Sequence, residues 1–284
     1  MSTKFIVTFL IIVGLGIAVA EGAPQKSWVW FTHTELGSKF FLSGGEIQLS
    51  GLLRGPLDAF DGSNLTADGI IKWTNTQRED QGLIPLHENA LLRKAAEAKV
   101  DDMFAQQYFE HESPDGKSPA DLARGAGYSY IIVGENLALG NFKDDKTLVQ
   151  AWMDSPGHRA NILHGKYQEI GTAAKKGMFE GKEVWLAVQE FGAPLSACPT
   201  PALGLKGQID ANRAQLSTNQ SELQSQKAAI AANRYNSESE YNAAVAKYNA
   251  LVEKTNELAD DTQRLVADYN DAVNTFNKCL ESNS

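Results

Sequence analysis

Two cysteines and five histidines are the side chains of this 284-residue chain best suited to covalent, metal or proton chemistry. Cys198 and Cys279 lack metal-ligand spacing, and neither sits beside a histidine as a catalytic thiolate would. In an exported chain such a pair reads first as a disulfide, and otherwise as two free thiols. His111 opens the run His111-Glu112-Ser113-Pro114, which has no second histidine one turn on and so is not a metalloprotease helix motif. His158 follows Pro156-Gly157, and Glu135 lies in Gly134-Glu135-Asn136-Leu137. Ser113 and Ser155 stand near these histidines, but a serine acts as a nucleophile only with a positioned base. His33, His87 and His164 belong to no such run.

The segments that must position these residues separate by composition. Lys4, the uncharged apolar run Phe5–Ala20 and the small-x-small pattern Ala18-Val19-Ala20 make residues 1–20 a signal peptide. The alternative is an anchor, for which the run is short against the ~20 residues of a bilayer span. Residues 21–67 are an aromatic and glycine-rich lead-in holding Trp28, Trp30, Phe31, Phe40 and Phe41. Its short alternating runs at 39–42 and 46–49 suit strands. Asn64-Leu65-Thr66 is a sequon that reads more simply as a polar loop and helix cap.

Residues 68–195 carry a helix opened by Ile70, Ile71, Trp73, Thr74 and Arg78. A second helix, starting at the Leu86–Asn89 turn, repeats Leu92, Ala95, Ala96, Val100 and Met103 at helical spacing. Gly116 and Pro119 mark a loop. A third helix holding Leu148, Ala151 and Trp152 breaks at Pro156-Gly157. Residues 170–174 and 184–191 read as a hairpin around Gly177 and Gly181. Residues 196–205 are a proline-bearing linker. Residues 206–284 lack proline and tryptophan and repeat apolar residues at coiled-coil spacing. The repeat runs through Ile209, Leu216, Leu223 and Ile230, then from Tyr241 to Leu280 in steps of four and three. The polar interruption at 233–240 lies midway between the cysteines, so a helical hairpin closed by Cys198–Cys279 is expected. Helices over 206–233 and 239–280 would span ~42 and ~63 Å, and the seven residues 199–205 can bridge the ~21 Å difference. The rival is one continuous dimerising helix of about 110 Å, in which the cysteines of one chain cannot meet.

Four motifs occur in order: Phe109–Gly116, Gly134–Leu137, Trp152–Leu163 and Val188–Gly192. Together they resemble the bacterial branch of the CAP superfamily, also called the SCP or cysteine-rich secretory protein family. The resemblance covers under half of the chain. It implies an α+β fold, a three-layer α-β-α sandwich with a surface cleft, to which the sequence appends the C-terminal all-α coiled-coil helical hairpin. In eukaryotic relatives the cleft holds two histidines and two glutamates that can bind a divalent metal such as zinc. Carried over, the metal set is His111, His158 and Glu135. The second glutamate is missing from Trp152-Met153-Asp154-Ser155, where Asp154 is the stand-in for a fourth cleft residue. Two imidazoles and a carboxylate form a partial zinc shell, and zinc would turn bound water into a nucleophile.

The expected function is that of an exported, non-enzymatic CAP-type binding module, recognising a ligand, lipid or cell-surface component through this cleft. The compartment would be extracellular, cell-surface or periplasmic, and no residue is assigned as catalytic. The alternatives are a metal-assisted hydrolase using the same cleft, or a surface structural protein acting through its tail, which then takes a protein partner. A net charge of −9 without a Lys/Arg cluster gives no electrostatic reason to bind nucleic acid.

Overall fold

Alternation and 3.6-residue periodicity change over along the chain, and the secondary structure follows them. The computed structural model describes residues 46–57, 62–232 and 234–283. The segment expected to be a signal peptide, the lead-in aromatics and His33 lie outside these residues.

Strand β1 (Glu46–Arg54) is followed by α1 (Ala67–Asp80), the two-residue β2 (His87–Glu88), α2 (Ala90–Gln106) and α3 (Pro119–Ala126). Then come β3 (Tyr130–Gly140), α4 (Asp145–Asp154), α5 (Pro156–Ile162), β4 (Glu169–Phe179) and β5 (Lys182–Pro194). A single 3₁₀ turn (Leu195–Ala197) leads to α6 (Leu203–Ala231) and α7 (Glu238–Asn283).

Helix starts are set by side-chain caps, which satisfy the first orphan N–H groups. Thr66 caps α1, Asn89 accepts from Leu91 and Leu92 at α2, and Asp144 caps α4. Ser118 and Asp121 form a capping box with Pro119 at the first helical position. Pro119 therefore begins a helix where the sequence suggests a loop, since its fixed φ suits that position. Pro156 begins α5 in the same way, so α4 ends where the sequence predicts a break.

The five strands are ordered β1-β3-β5-β4-β2. β3–β5 and β4–β5 are antiparallel, and β1–β3 is parallel. The expected hairpin is β4–β5, with its turn at Glu180-Gly181; Gly177 lies inside the strand, opposite Val184. Alternate positions on these strands meet different helices. Leu137, Leu139, Leu186 and Val188 cluster with Ala96, Val100 and Met103 of α2. Ala138, Ala187 and Phe191 cluster with Ile70 of α1, Leu148 and Trp152 of α4 and Ile162 of α5. This is the period-two rule of a strand covered on both faces.

Two glycines allow close approach. A Cβ on Gly171 would lie 2.0 Å from the Arg93 nitrogen, so α2 rests directly on β4. Gly134 sits mid-strand in β3, where a Cβ would lie 2.0 Å from the Tyr167 hydroxyl. Arg78 at the end of α1 is fully buried and donates to the carbonyls of Ile84, Ile162 and His164.

The described residues up to Pro199, together with those from Phe276 onward, form one compact unit, and Thr200–Thr275 form a second. In the first, Phe276, Cys279 and Leu280 join the core around Cys198. Cys198 and Cys279 are bonded to each other, with Cα atoms 5.7 Å apart, which excludes free thiols and the single continuous helix. In the second, Ile209 meets Val266, Tyr269 and Val273, while Leu223 and Ile230 meet Tyr248. Rising numbers on α6 thus face falling numbers on α7, the sense of an antiparallel pair. Ser237 accepts from the Glu240 nitrogen and Glu240 accepts from the Asn236 nitrogen, fixing the start of α7 in the polar interruption. Among the described residues no helix is long and apolar enough to cross a membrane.

Candidate functional site

β3 brings Glu135 to the centre of the sheet, and the antiparallel register sets Glu190 of β5 directly opposite. Both are completely buried. Lys99 of α2, also completely buried, lies close enough to attract both carboxyls. Its Nζ donates to the His111 carbonyl at 2.6 Å and to the Tyr108 hydroxyl at 3.2 Å, and Tyr108 donates to Asp102. The loop after α2 is thereby pinned so that the His111 ring reaches the strands. Nδ1 of His111 is 2.6 Å from Glu135 Oε1, and Nε2 is 2.7 Å from the carbonyl oxygen of Ser50 in β1. A carbonyl only accepts, so Nε2 carries the proton.

His158 on α5 is 1% exposed. Its Nδ1 is 2.8 Å from Ser155 Oγ, while Nε2 is buried with no hydrogen-bond partner. Burial drives its pKa from 6.5 down to about 4, and the nearby His111 charge acts in the same direction. On the Asn136 side of β3, four buried polar side chains run in series. Asn161 donates to Asn136, Asn136 to Gln189, Gln189 to Thr74, and Thr74 to the Ile70 carbonyl. This chain ties α5, β3, β5 and α1 together behind the site.

The Glu190 carboxyl is pushed well above the usual carboxylate range. Burial is the main cause, followed by the facing Glu135 carboxylate and a hydrogen bond to it, with Lys99 pulling the other way. Two pH effects of opposite sign follow. A raised folded pKa makes Glu190 favour folding at low pH, an advantage lost as pH rises from the unfolded value of about 4.3 through the folded one. A depressed folded pKa makes His158 favour folding above 6.5, an advantage lost as pH falls towards 4. Each proton contributes at most about 1.4 kcal/mol per pH unit. We expect Glu190→Gln, which mimics the protonated acid, to become more stable relative to the parent between pH 5 and 8. We expect His158→Gln to flatten the acid limb between pH 6.5 and 4. Urea titrations at several pH values check both, and curves parallel to the parent's would refute them.

The sequence-predicted residues are not all brought together. His111 and Glu135 are in contact. His158 is near enough to feel the His111 charge. Asp154 is exposed at the end of α4, accepting from Gln150, and does not serve as the fourth cleft residue. Its helix points the last-turn side chain outward once Trp152 is buried, since side chains two apart on a helix do not share a face. Ser113 is held in its own turn by Asp115 and Lys117. Glu190, Lys99 and Tyr108 are the additions. Glu190 lies inside a motif visible in sequence, yet strand register was needed to place it opposite Glu135. Lys99 sits on the apolar stripe of α2, and a charge on such a stripe is the signal that could have found it.

Among the described residues no group of three or more His, Cys, Asp or Glu side chains is placed to hold a metal ion. The donor chemistry agrees. Both nitrogens of His111 are engaged, Glu135 faces Glu190, whose carboxyl is pushed towards its protonated form, and the Lys99 ammonium is close enough to act on both carboxyls. As arranged, the cluster does not fit zinc, which needs deprotonated ligands turned towards it.

Residues 72–191 match the sequence model of the Cysteine-rich secretory protein family, CAP. This segment is a CAP/SCP domain of the bacterial type. It is similar to the uncharacterized protein YkwD of Bacillus subtilis (strain 168), 41% identical over 122 residues, covering 43% of this chain and 45% of the relative. The uncharacterized membrane protein YlbC of the same organism is 29% identical over 107 residues, covering 38% and 31%. The chain thus spans less than half the length of these relatives. Among solved structures, an extracellular SCP-domain protein of Bacillus anthracis str. Ames aligns at 26% identity and TM-score 0.38, covering 44% of this chain and 39% of that one. An outer surface protein of Borrelia burgdorferi aligns at 21% and 0.39, covering 44% and 90%.

Proposed function

We propose that this is an exported protein whose CAP domain, a three-layer α-β-α sandwich, is a non-enzymatic binding module. It recognises a ligand or cell-surface component through the His111, Glu135 and His158 cleft. The observation that carries this reading is the mutual engagement of the ionisable groups. His111 is bonded at both nitrogens, Glu190 faces Glu135 across the β3–β5 ladder with its carboxyl pushed towards the protonated form, and His158 is a weak base with a pKa of about 4. Export is supported by the apolar run at 5–20 and by the disulfide, which persists in oxidising compartments. The antiparallel helices α6 and α7 read as a coiled-coil hairpin that offers its polar outer faces to a protein partner.

A second reading has one specific support. Ser155 Oγ and His158 Nδ1 stand at the distance of a nucleophile and its base. Against it, a base titrating near 4 has little tendency to take a serine proton at neutral pH. Co-sedimentation of the mature chain with purified bacterial cell envelopes tests the binding reading. Retention is expected, and Glu135→Gln, which removes the acceptor charge facing His111, should reduce it about tenfold. Equal retention by both would refute the cleft. Casein turnover, with or without added zinc, that disappears in Ser155→Ala would replace binding by hydrolysis.

A further inference from the structure

β1 precedes the family-matched segment, yet it supplies contacts at the heart of the site. Its Ser50 carbonyl accepts from His111 Nε2 at 2.7 Å, and Ser50 Oγ donates to the Glu135 carbonyl at 3.1 Å. A Cβ on Gly157 would lie 3.4 Å from the Gly51 nitrogen, so the start of α5 rests against the same two residues. β1 is an edge strand that pairs with β3 alone, in parallel. Its register slips between Leu49 and Leu52, which leaves Ser50 and Gly51 without partners in the ladder. Ile47 is 39% exposed and Leu49 51%, so the first half of the strand sinks little apolar surface into the core, and only Leu52 and Leu53 beyond the slip pack against it. Beneath the strand lies the buried ring of His158, whose Nε2 has no partner at normal hydrogen-bond distance, although the backbones of Gly51 and Leu137 are close enough to favour its charged form.

These features belong to an edge strand whose first half, up to Gly51, is held mainly by main-chain hydrogen bonds and whose second half is anchored by Leu52 and Leu53. They also leave the His158 ring only weakly satisfied by the Gly51 backbone above it, a place where another extended segment can bond better. We propose that β1 is a displaceable strap that fills the site as an internal stand-in, and that the ligand it mimics is an extended peptide segment adding to the edge of β3. In strand addition the main chain supplies affinity and pockets at alternate positions supply selection. Here the carbonyl at the position of Ser50 is read by His111 Nε2, and the neighbouring residue reaches His158. The inference rests on the reading of this cluster as a binding site, and it names the ligand's class.

The test uses the mature full-length chain. Hydrogen exchange of the intact protein comes first. The β3 amides at 132–139 that bond to β1 are expected to exchange through local opening, at least tenfold faster than the β4–β5 ladder. Exchange of both sets only on global unfolding would overturn the strap. Next, a sequence-specific protease site is inserted between Leu57 and Gly62, the chain is cut, and the freed strand is washed out. A fluorescent peptide of residues 46–54 is expected to bind the cut chain saturably and the uncut chain at least tenfold more weakly. His111→Ala in the cut chain is expected to weaken it about tenfold. Binding indifferent to His111, or a cut chain that unfolds once β1 leaves, would overturn the proposal and make β1 an ordinary structural strand. Envelope retention that still depends on Glu135 would then leave the binding reading standing. Loss of that dependence would remove the reading itself, whatever the strap does.

Discussion

Lys99→Met is expected to destabilise the domain by about 3–5 kcal/mol at neutral pH, the cost of breaking a buried ionic arrangement from one side. The Lys99 ammonium is completely buried among Glu135, Glu190 and the His111 carbonyl. Methionine fills similar space but leaves the Glu135 charge without the attraction of Lys99 and the His111 carbonyl without its donor. The loss should also appear functionally, because that donor bond holds the His111 loop against the strands. Adding Glu135→Gln to Lys99→Met removes the stranded charge and should recover part of the loss. Glu190→Gln should recover less, since burial already pushes that carboxyl towards its neutral form. Urea denaturation of the single and double variants provides the comparison. A Lys99→Met protein within about 1 kcal/mol of the parent would mean that the ammonium is not part of the site's charge balance.

The second large effect concerns Cys198 and Cys279. Replacing both by serine is expected to lower stability by about 4–5 kcal/mol, because the bond closes a loop with a sequence separation of 81. Cys198 is 2% exposed and packs with Phe276 and Leu280, so apolar contact survives the change. The loss should therefore come from the freedom gained by the unfolded chain. Differential scanning calorimetry of the parent, oxidised and reduced, against the double serine variant separates the contributions. The reduced parent and the variant should melt together. An oxidised parent melting with them would show that the cross-link constrains nothing.

How much of this was legible beforehand depended on whether a feature is local. Caps, breaks and periodicity are local. Asn89, the Pro156 break, the β4–β5 hairpin and the apolar repeat that carries Ile209 and Leu223 could all be read along the chain. β3 was recognised only as a motif around Gly134 and Glu135. It is buried from end to end, so its sequence lacks the alternation that marks a half-exposed strand. α3 is only eight residues long and rests on its capping box, too short for periodicity to register. In the site, His111 and Glu135 were anticipated from the family resemblance. The facing of Glu190 and the Ser50 carbonyl was not, because both arise from pairing between strands far apart in sequence. Asp154 misled because a residue's place in a motif does not state which way a helix turns it.

The bond between Cys198 and Cys279 also decides how the protein transmits force. Tension applied between the core and anything joined to the end of α7 passes directly through sulfur, and the helices of Thr200–Thr275 carry none of it. Pulled in its oxidised state, the molecule should hide a contour length of roughly 290 Å, 81 residues at about 3.6 Å each. Reduction would put that slack in series with the load, making redox state the setting that decides whether this segment behaves as a bystander or as a tether.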